Sequence, residues 1–479
     1  MEQLKKYPKY KNSGIAWLGE IPEHWEVRRL KYMAYCFPSN VDKHTREGEE
    51  KVMLCNYTDV YKNDFITENM KFMVSSATQQ QIEKFRLRED DLLITKDSET
   101  SDDIAVPAYV TKDFENVICG YHLSIIRSYI DVSGKYLFRL FQHKKFNSQF
   151  EICANGVTRV GLGVYDLNNA FATYPPLSEQ TKIAAFLDYK LAKIDRFIRK
   201  KKQLIKLLNE QKAAIINQAV TKGLDPNANM KPSGVEWLGD IPEHWELWKM
   251  SRAYKVFSSG TTPESGNASY YENGTIPWVN TADLNDDILY ESRKFVTEKA
   301  LDKYSVLKIN PKGTLSVAMY GATIGKISIL DFEATTNQAC CNFSQSNILV
   351  DEYTFFWFIA NRPEIISLGY GGGQPNISQS LVKTLKITTP PINEQNEIID
   401  FIKQQKNQTN SIIVKIEKEI TLTQEYKTAL IAEAVTGKID VRDFVIPEVI
   451  AEEEGYEDLE EELSMSAEGE VAYENEDME

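Results

Sequence analysis

Apolar residues recur at spacings of three and four along residues 178–222: Ala184, Leu187, Leu191, Ile194, Ile198, Ile205, Leu208, Ile215 and Ala219. That spacing keeps one stripe on one side of a helix and predicts a coiled-coil seam. Only Lys201 and Lys212 interrupt it. Pro175-Pro176 precede the segment and Ser178 suits an N-cap. No Pro or Gly occurs until Gly223, a fitting helix stop. A second segment repeats the design: Pro390-Pro391, Asn393, then Ile399, Ile402, Ile413, Ile416, Ile420, Leu430 and Ala434, ending at Gly437. About 44 residues at about 1.5 Å each give a rod of about 65 Å. A rod that long with one apolar stripe needs a partner, and the two segments suit each other as an antiparallel pair.

The stretches ahead of the rods, 27–173 and 247–388, are mixed. Short apolar runs predict strands at Val52–Asn56, Asp91–Thr95, Tyr121–Arg127, Thr314–Met319 and Lys326–Leu330. Helical spacing predicts helices at Tyr136–Phe146 and Tyr353–Asn361. Each middle reads as an α/β globule.

The two halves are copies. SGIAWLGEIPEHWE (13–26) returns as SGVEWLGDIPEHWE (233–246), with 11 of 14 residues shared, including Trp17/Trp237, Pro22/Pro242, His24/His244 and Trp25/Trp245. YPPLSEQTKIAAFLDY (174–189) returns as TPPINEQNEIIDFIKQ (389–404). VMLCNYTDV (52–60) answers IPWVNTADL (276–284) through Asn56/Asn280 and Asp59/Asp283, and TRVGLG (158–163) falls opposite GQPNIS (373–378). Frames that stay alike around middles that drift suit two modules held in one way for related but different jobs. The repeated phrase, which ends in IPEHWE both times, precedes both middles, so its tryptophans and proline read as packing that anchors each module beside the rods.

Composition adds bounds. The chain has 479 residues, 42% apolar, enough for several cores. No run of eighteen apolar residues and no apolar signal core appear, so a cytoplasmic protein is expected. Cys36, Cys55, Cys119, Cys153, Cys340 and Cys341 form no CxxC and read as buried free thiols rather than zinc ligands. The net charge of −15 is concentrated at the end: residues 448–479 hold 15 Asp and Glu and no Lys or Arg. The body is therefore close to neutral and can carry local basic surfaces that bind DNA.

Catalytic motifs fail one by one. GATIGK (321–326) has too few residues between Gly321 and Gly325 for a phosphate loop, and Ile327 stands where Ser or Thr would hold magnesium. The Pro-Pro pairs come after Tyr174 and Thr389, without the Asn or Asp of an adenine methyltransferase. DDLLITK (90–96) has acids and a lysine, but its counterpart INPKGTLSV lacks the acid pair of a nuclease. His24 and His244 lie in a repeated structural phrase. The expectation is a non-catalytic scaffold with no cofactor of its own.

Those repeated phrases, with IPWVNTADL and GATIGK, resemble the specificity subunits of Type I restriction–modification enzymes over residues 1–445. The resemblance implies an α+β architecture: two α/β target recognition domains joined by two long antiparallel coiled-coil helices in a pseudo-two-fold duplication. The boundaries expected are 1–173 and 223–388 for the recognition domains, 174–222 and 389–440 for the spacer helices, and 441–479 for an acidic, disordered tail. It also implies double-stranded DNA, two modification (methyltransferase) subunits and restriction (translocase/nuclease) subunits as partners. AdoMet, ATP and Mg²⁺ would then belong to those partners. Each domain would read one half of a split target. By motif position the expected DNA contacts are Asn56, Tyr57, Lys96, Thr158 and Arg159 in the first domain. In the second they are Asn280, Thr281, Tyr320, Thr323, Lys326, Gln374 and Asn376. Two other readings are a self-contained methyltransferase or nuclease, and a coiled-coil adaptor that binds DNA or the methyltransferase without restriction.

Overall fold

The computed structural model describes residues 5–156, 159–369 and 376–447. The acidic tail beyond 447, and Thr158 and Gln374 among the expected contacts, lie outside the described residues. Two long helices dominate, Leu177–Lys222 and Ile392–Val435. The prolines and glycines mark their ends as expected, but Ser178 and Asn393 lie inside the first turn rather than capping it. Helical bonding already starts at the Pro176 and Pro391 carbonyls, which accept from Gln180 and Gln395 N–H at 3.0 Å. The chain divides into two compact units, one running to Arg199 and resuming at Glu419, the other Lys200–Lys418. Each unit therefore holds one globular module with a segment of both helices.

In the first unit the helices run antiparallel, with the Lys427 ammonium bonded to both Asp195 oxygens at 2.7 and 2.9 Å. The seam residues Ala184, Leu187, Leu191, Leu430 and Ala434 are buried there. In the second unit Lys212, one of the two breaks in the apolar series, reaches the Asn410 side chain at 3.2 Å. A polar pair inside the seam explains why the series could be broken. Ile216, Ala219, Ile399, Ile402 and Ile416 are buried in that unit.

Both modules have the same topology. The first has a five-stranded sheet in the order Ala34–Pro38, Leu123–Ser128, Asp91–Thr95, Pro107–Val110, Phe65–Ile66, antiparallel except for its last pair. The second repeats it as Val256–Ser258, Cys340–Ser344, Leu315–Ala318, Ile327–Leu330, Ile288–Leu289, again with only the last pair parallel. A three-stranded sheet accompanies each: Val117–Cys119, Glu50–Cys55, Met73–Ala77, and Thr335–Thr336, Ile276–Val279, Phe295–Val296. A short ribbon closes each module onto the helices, Glu26–Arg29 with Phe171–Tyr174 and Glu246–Lys249 with Lys386–Thr389.

One expected helix is two. Residues 136–146 divide into Gly134–Phe141 and Lys144–Cys153. His143 adopts an extended backbone between them and caps the second, its Nδ1 accepting from Phe146 N–H at 3.2 Å. No Pro or Gly marks that break, so the apolar spacing ran straight across it. Five of the six cysteines are buried, and Cys153 is half-buried.

Candidate nucleic-acid interface

The repeated phrases are partners of each other. In the first unit, Glu179 of PPLSEQ accepts from Trp25 Nε1 at 2.9 Å and from the Tyr7 hydroxyl at 2.9 Å, and it bonds His24 Nε2 at 2.6 Å. In the second, Glu394 of PPINEQ bonds Trp245 Nε1 at 2.9 Å and His244 Nε2 at 2.8 Å. Trp25 and Trp245 are fully buried. The neighbouring glutamine grips the module itself. Gln180 accepts from Ser133 N–H at 2.9 Å and donates to the Pro175 carbonyl at 2.8 Å. Gln395 does the same with Val350 N–H and the Pro390 carbonyl, both at 2.8 Å. Ser133 and Val350 are the N-caps of equivalent helices.

A third contact closes each module onto a helix end. Thr173 donates to the Val435 carbonyl at 2.9 Å, with Tyr136 bonded to the Thr173 hydroxyl at 2.7 Å. Thr388 donates to the Val220 carbonyl at 2.8 Å, with Tyr353 bonded to Thr388 at 2.8 Å. These hydroxyls satisfy a carbonyl that a helix C-terminus would leave unpaired. Each module thus seats the end of the long helix encoded by the other half of the chain. The tryptophans and histidines of the shared IPEHW string hold the frame through their glutamates.

The rim of polar turns differs between modules, and backbone bonds define its equivalent places. Gly120 N–H donates to the Cys55 carbonyl at 2.8 Å, as Asn337 N–H does to Val279 at 3.0 Å. Lys96 N–H donates to His122 at 3.0 Å, as Met319 does to Ala339 at 2.8 Å. Leu162 N–H donates to Lys96 at 2.8 Å, as Ile377 does to Met319 at 2.7 Å. Hence Asn56 corresponds to Asn280, Asp97 to Tyr320, Tyr121 to Gln338 and Gly161 to Asn376.

In the first module these bonds bring Asn56, Tyr57, Lys96 and Arg159 to one rim. Asn56 opens the helix Tyr57–Tyr61, and its N–H donates to Asp59 at 2.7 Å. Asn280 repeats this with Asp283 at 2.8 Å. Both asparagines are therefore built into a turn that fixes the path of the next residues. Tyr57 stacks on Tyr61 with centroids 5.3 Å apart. Arg159 is exposed, and its charge acts on the Tyr57 phenol, whose pKa is raised chiefly by burial. Lys96 donates to the Ser39 carbonyl at 3.3 Å and lies 4.2 Å over the Tyr121 ring. Partial burial holds its pKa below the ordinary lysine value.

In the second module Tyr320 is exposed at the turn, with Asn376 exposed beside it. Thr281 and Thr323 are half-buried. Lys326 lies past the turn, its carbonyl accepting from Ala318 N–H at 2.8 Å, so it does not occupy the place of Lys96. Gly321 and Gly325 have φ of 81° and 75°, which makes the turn a glycine requirement rather than a phosphate cradle.

Four rim residues carry no motif and escape a motif-based reading. Tyr121 is 49% exposed, and His122 bonds Asp97 at 2.9 Å. Gln338 accepts from the Thr262 hydroxyl at 2.6 Å, leaving its amide NH₂ to donate. A repeat offset of 217 sets Tyr121 against Gln338, and that alignment could have found this pair.

A duplicated frame with two different polar rims defines a scaffold that presents two recognition surfaces. The chain belongs to the family described as Type I restriction modification DNA specificity domain, whose profile matches twice, at residues 22–207 and 242–422. A putative type I restriction enzyme MjaX specificity subunit from Methanocaldococcus jannaschii is 24% identical over 446 residues, covering 92% of this chain and 99% of that one. Among solved structures, a chain from work on complex assembly and conformational transition of the type I R-M system aligns with a TM-score of 0.66 at 16% identity, covering 88% of this chain and 99% of that one. The HsdS subunit from Thermoanaerobacter tengcongensis aligns at 0.51 and 15% identity, covering 88% and 98%. These structures share the fold. Among the described residues no helix is long and apolar enough to cross a membrane.

Proposed function

We propose that the chain reads a split, asymmetric DNA target, one half with each module, while the paired helices hold the two readers apart and dock two methyltransferase subunits. The observation that supports this best is the contrast between the frame and the rim. Glu179 and Glu394 each bond the tryptophan and histidine of their phrase and Gln180/Gln395 make the same bonds, whereas Asp97/Tyr320 and Tyr121/Gln338 differ at equivalent places. Identical scaffolds that present different donors and acceptors select different bases. Readers on one face of the duplex favour half-sites about one turn, roughly 34 Å, apart.

Catalysis lies in the partners. AdoMet would bind the methyltransferase subunits, and ATP and Mg²⁺ the restriction subunits. This chain's own groups position the duplex and select it. The test is methyl transfer from labelled AdoMet to target duplex. The purified chain alone gives none, and adding the methyltransferase subunit restores it. Turnover by the chain alone would contradict the proposal.

A further inference from the structure

The ribbon that closes the second module carries an unneutralised pair of charges. Lys249 and Lys386 are directly opposed across the antiparallel strands Glu246–Lys249 and Lys386–Thr389. Like charges facing each other across a ribbon destabilise it. Both lysines are exposed, and they line a cleft of about 590 Å³ together with Lys231, Arg252 and Trp248. Among the described residues none of these four cations has an acidic partner. The one acid lining the cleft, Glu246, is taken up by the indole N–H of Trp248 at 2.7 Å.

The equivalent ribbon of the first module is arranged the opposite way. There Arg29 faces Phe171, with its guanidinium 5.3 Å from the ring centroid. It also donates to Asn169 at 2.7 Å. Arg28 lies 3.5 Å over the Tyr174 ring and within 2.9 Å of Glu26. At the same strand positions the first module sets a cation against a ring, whereas the second sets two cations against each other. A repulsion found in only one copy, in a cleft lined by four cations and one carboxylate, leaves a net positive charge that an anion would complete.

We propose that this cleft is a phosphate-binding surface for the backbone of duplex DNA, separate from the base-reading rim. The proposal rests on the DNA-reading function above. Lysines act on phosphates as point charges without a fixed fork, which suits a contact that positions the duplex rather than one that reads sequence. The second module holds DNA here through Lys249 and Lys386, with Arg252 and Lys231 extending the charged track.

The test is the double variant Lys249→Gln/Lys386→Gln in the full-length chain, alone and with its methyltransferase partner. Binding is titrated against salt on a duplex carrying the methylated target and on a scrambled duplex. The variant loses affinity for both duplexes by the same factor. The slope of log K against log salt falls by about two, at about 0.9 per phosphate lost. Its melting temperature stays level or rises, because a repulsion has gone, and this separates the effect from misfolding. An unchanged slope, or a loss confined to the target duplex, overturns the cleft as a phosphate site. Failure of the unsubstituted chain, with its partner, to prefer any duplex counts instead against the DNA-reading function.

Discussion

The indole of Trp25 donates to the carboxylate of Glu179 at 2.9 Å, although 154 residues separate them in the chain. Trp245 and Glu394 repeat the bond at the same length across 149 residues. Two phrases that recur in the sequence are therefore two sides of one clasp, made once in each half. The clasp fixes where each module meets the helices, while the polar rim differs between the modules.

The two clasps differ in burial, so their loss should differ in cost. Glu179 is 9% exposed and holds Tyr7, His24 and Trp25; Glu394 is 25% exposed and, among the described residues, holds His244 and Trp245. Glu179→Ala leaves buried donors unpaired and costs about 3 kcal/mol, whereas Glu394→Ala costs about 1 kcal/mol. Chemical denaturation of the two variants gives this order; equal losses would contradict it.

The glycines that end the helices sit under the same tryptophans. Gly437 has φ of 73°, and a Cβ there would run into the Pro22 ring and lie 3.0 Å from Trp25. Gly223 has φ of 77°, but its nearest obstacle, Trp245, would be 3.2 Å from the Cβ. Gly223→Ala therefore costs about 1–2 kcal/mol for the left-handed backbone alone. Gly437→Ala costs more, and thermal melts of the pair show the larger fall for it.

Buried His143 makes stability depend on pH. Burial lowers its pKa from 6.5 to about 4, and its Nδ1 must stay unprotonated to accept from Phe146. Above pH 6.5 the ring is neutral in both folded and unfolded chains. Between pH 6.5 and 4 only the unfolded chain takes up the proton, so stability falls by about 3 kcal/mol across that window and levels below it. His143→Asn keeps an acceptor at the cap without the titration. The difference in melting temperature between the two proteins should shrink as pH falls from 7 to 4.

The rods and the duplication were legible because their signals are local or repeated. A stripe such as Ala184, Leu187, Leu191 declares itself within two turns, and SGIAWLGEIPEHWE declares a copy wherever it recurs. The partner of Trp25 was not legible, because no spacing rule connects residues 154 apart. The rim was half legible. Asn56 and Asn280 were found by motif, but each opens a turn rather than standing free at the surface. Lys96 and Lys326 were both expected contacts, yet backbone bonding pairs Lys96 with Met319 and leaves Lys326 past the turn. The break at His143 was invisible because an extended residue between two amphipathic helices leaves the apolar period intact.

Tyr121 and Gln338 occupy equivalent places in different modules, so substituting each should alter a different half of the target. Gln338→Ala relaxes one base position by about 1–3 kcal/mol of discrimination, and Tyr121→Ala acts only on the other half. Binding to duplexes mutated one half at a time separates the two. A variant that weakened both halves alike would place its residue in the frame.

The central claim is that this one chain selects a split target for methylation by its partners. Adenine methylation mapped across the genome, in cells with and without the gene, tests it most directly. The expected map shows one asymmetric motif, two defined halves around an unread spacer, present with the gene and lost without it. A methylation map unchanged by removing the gene, or a continuous palindromic motif that depends on it, would contradict the account.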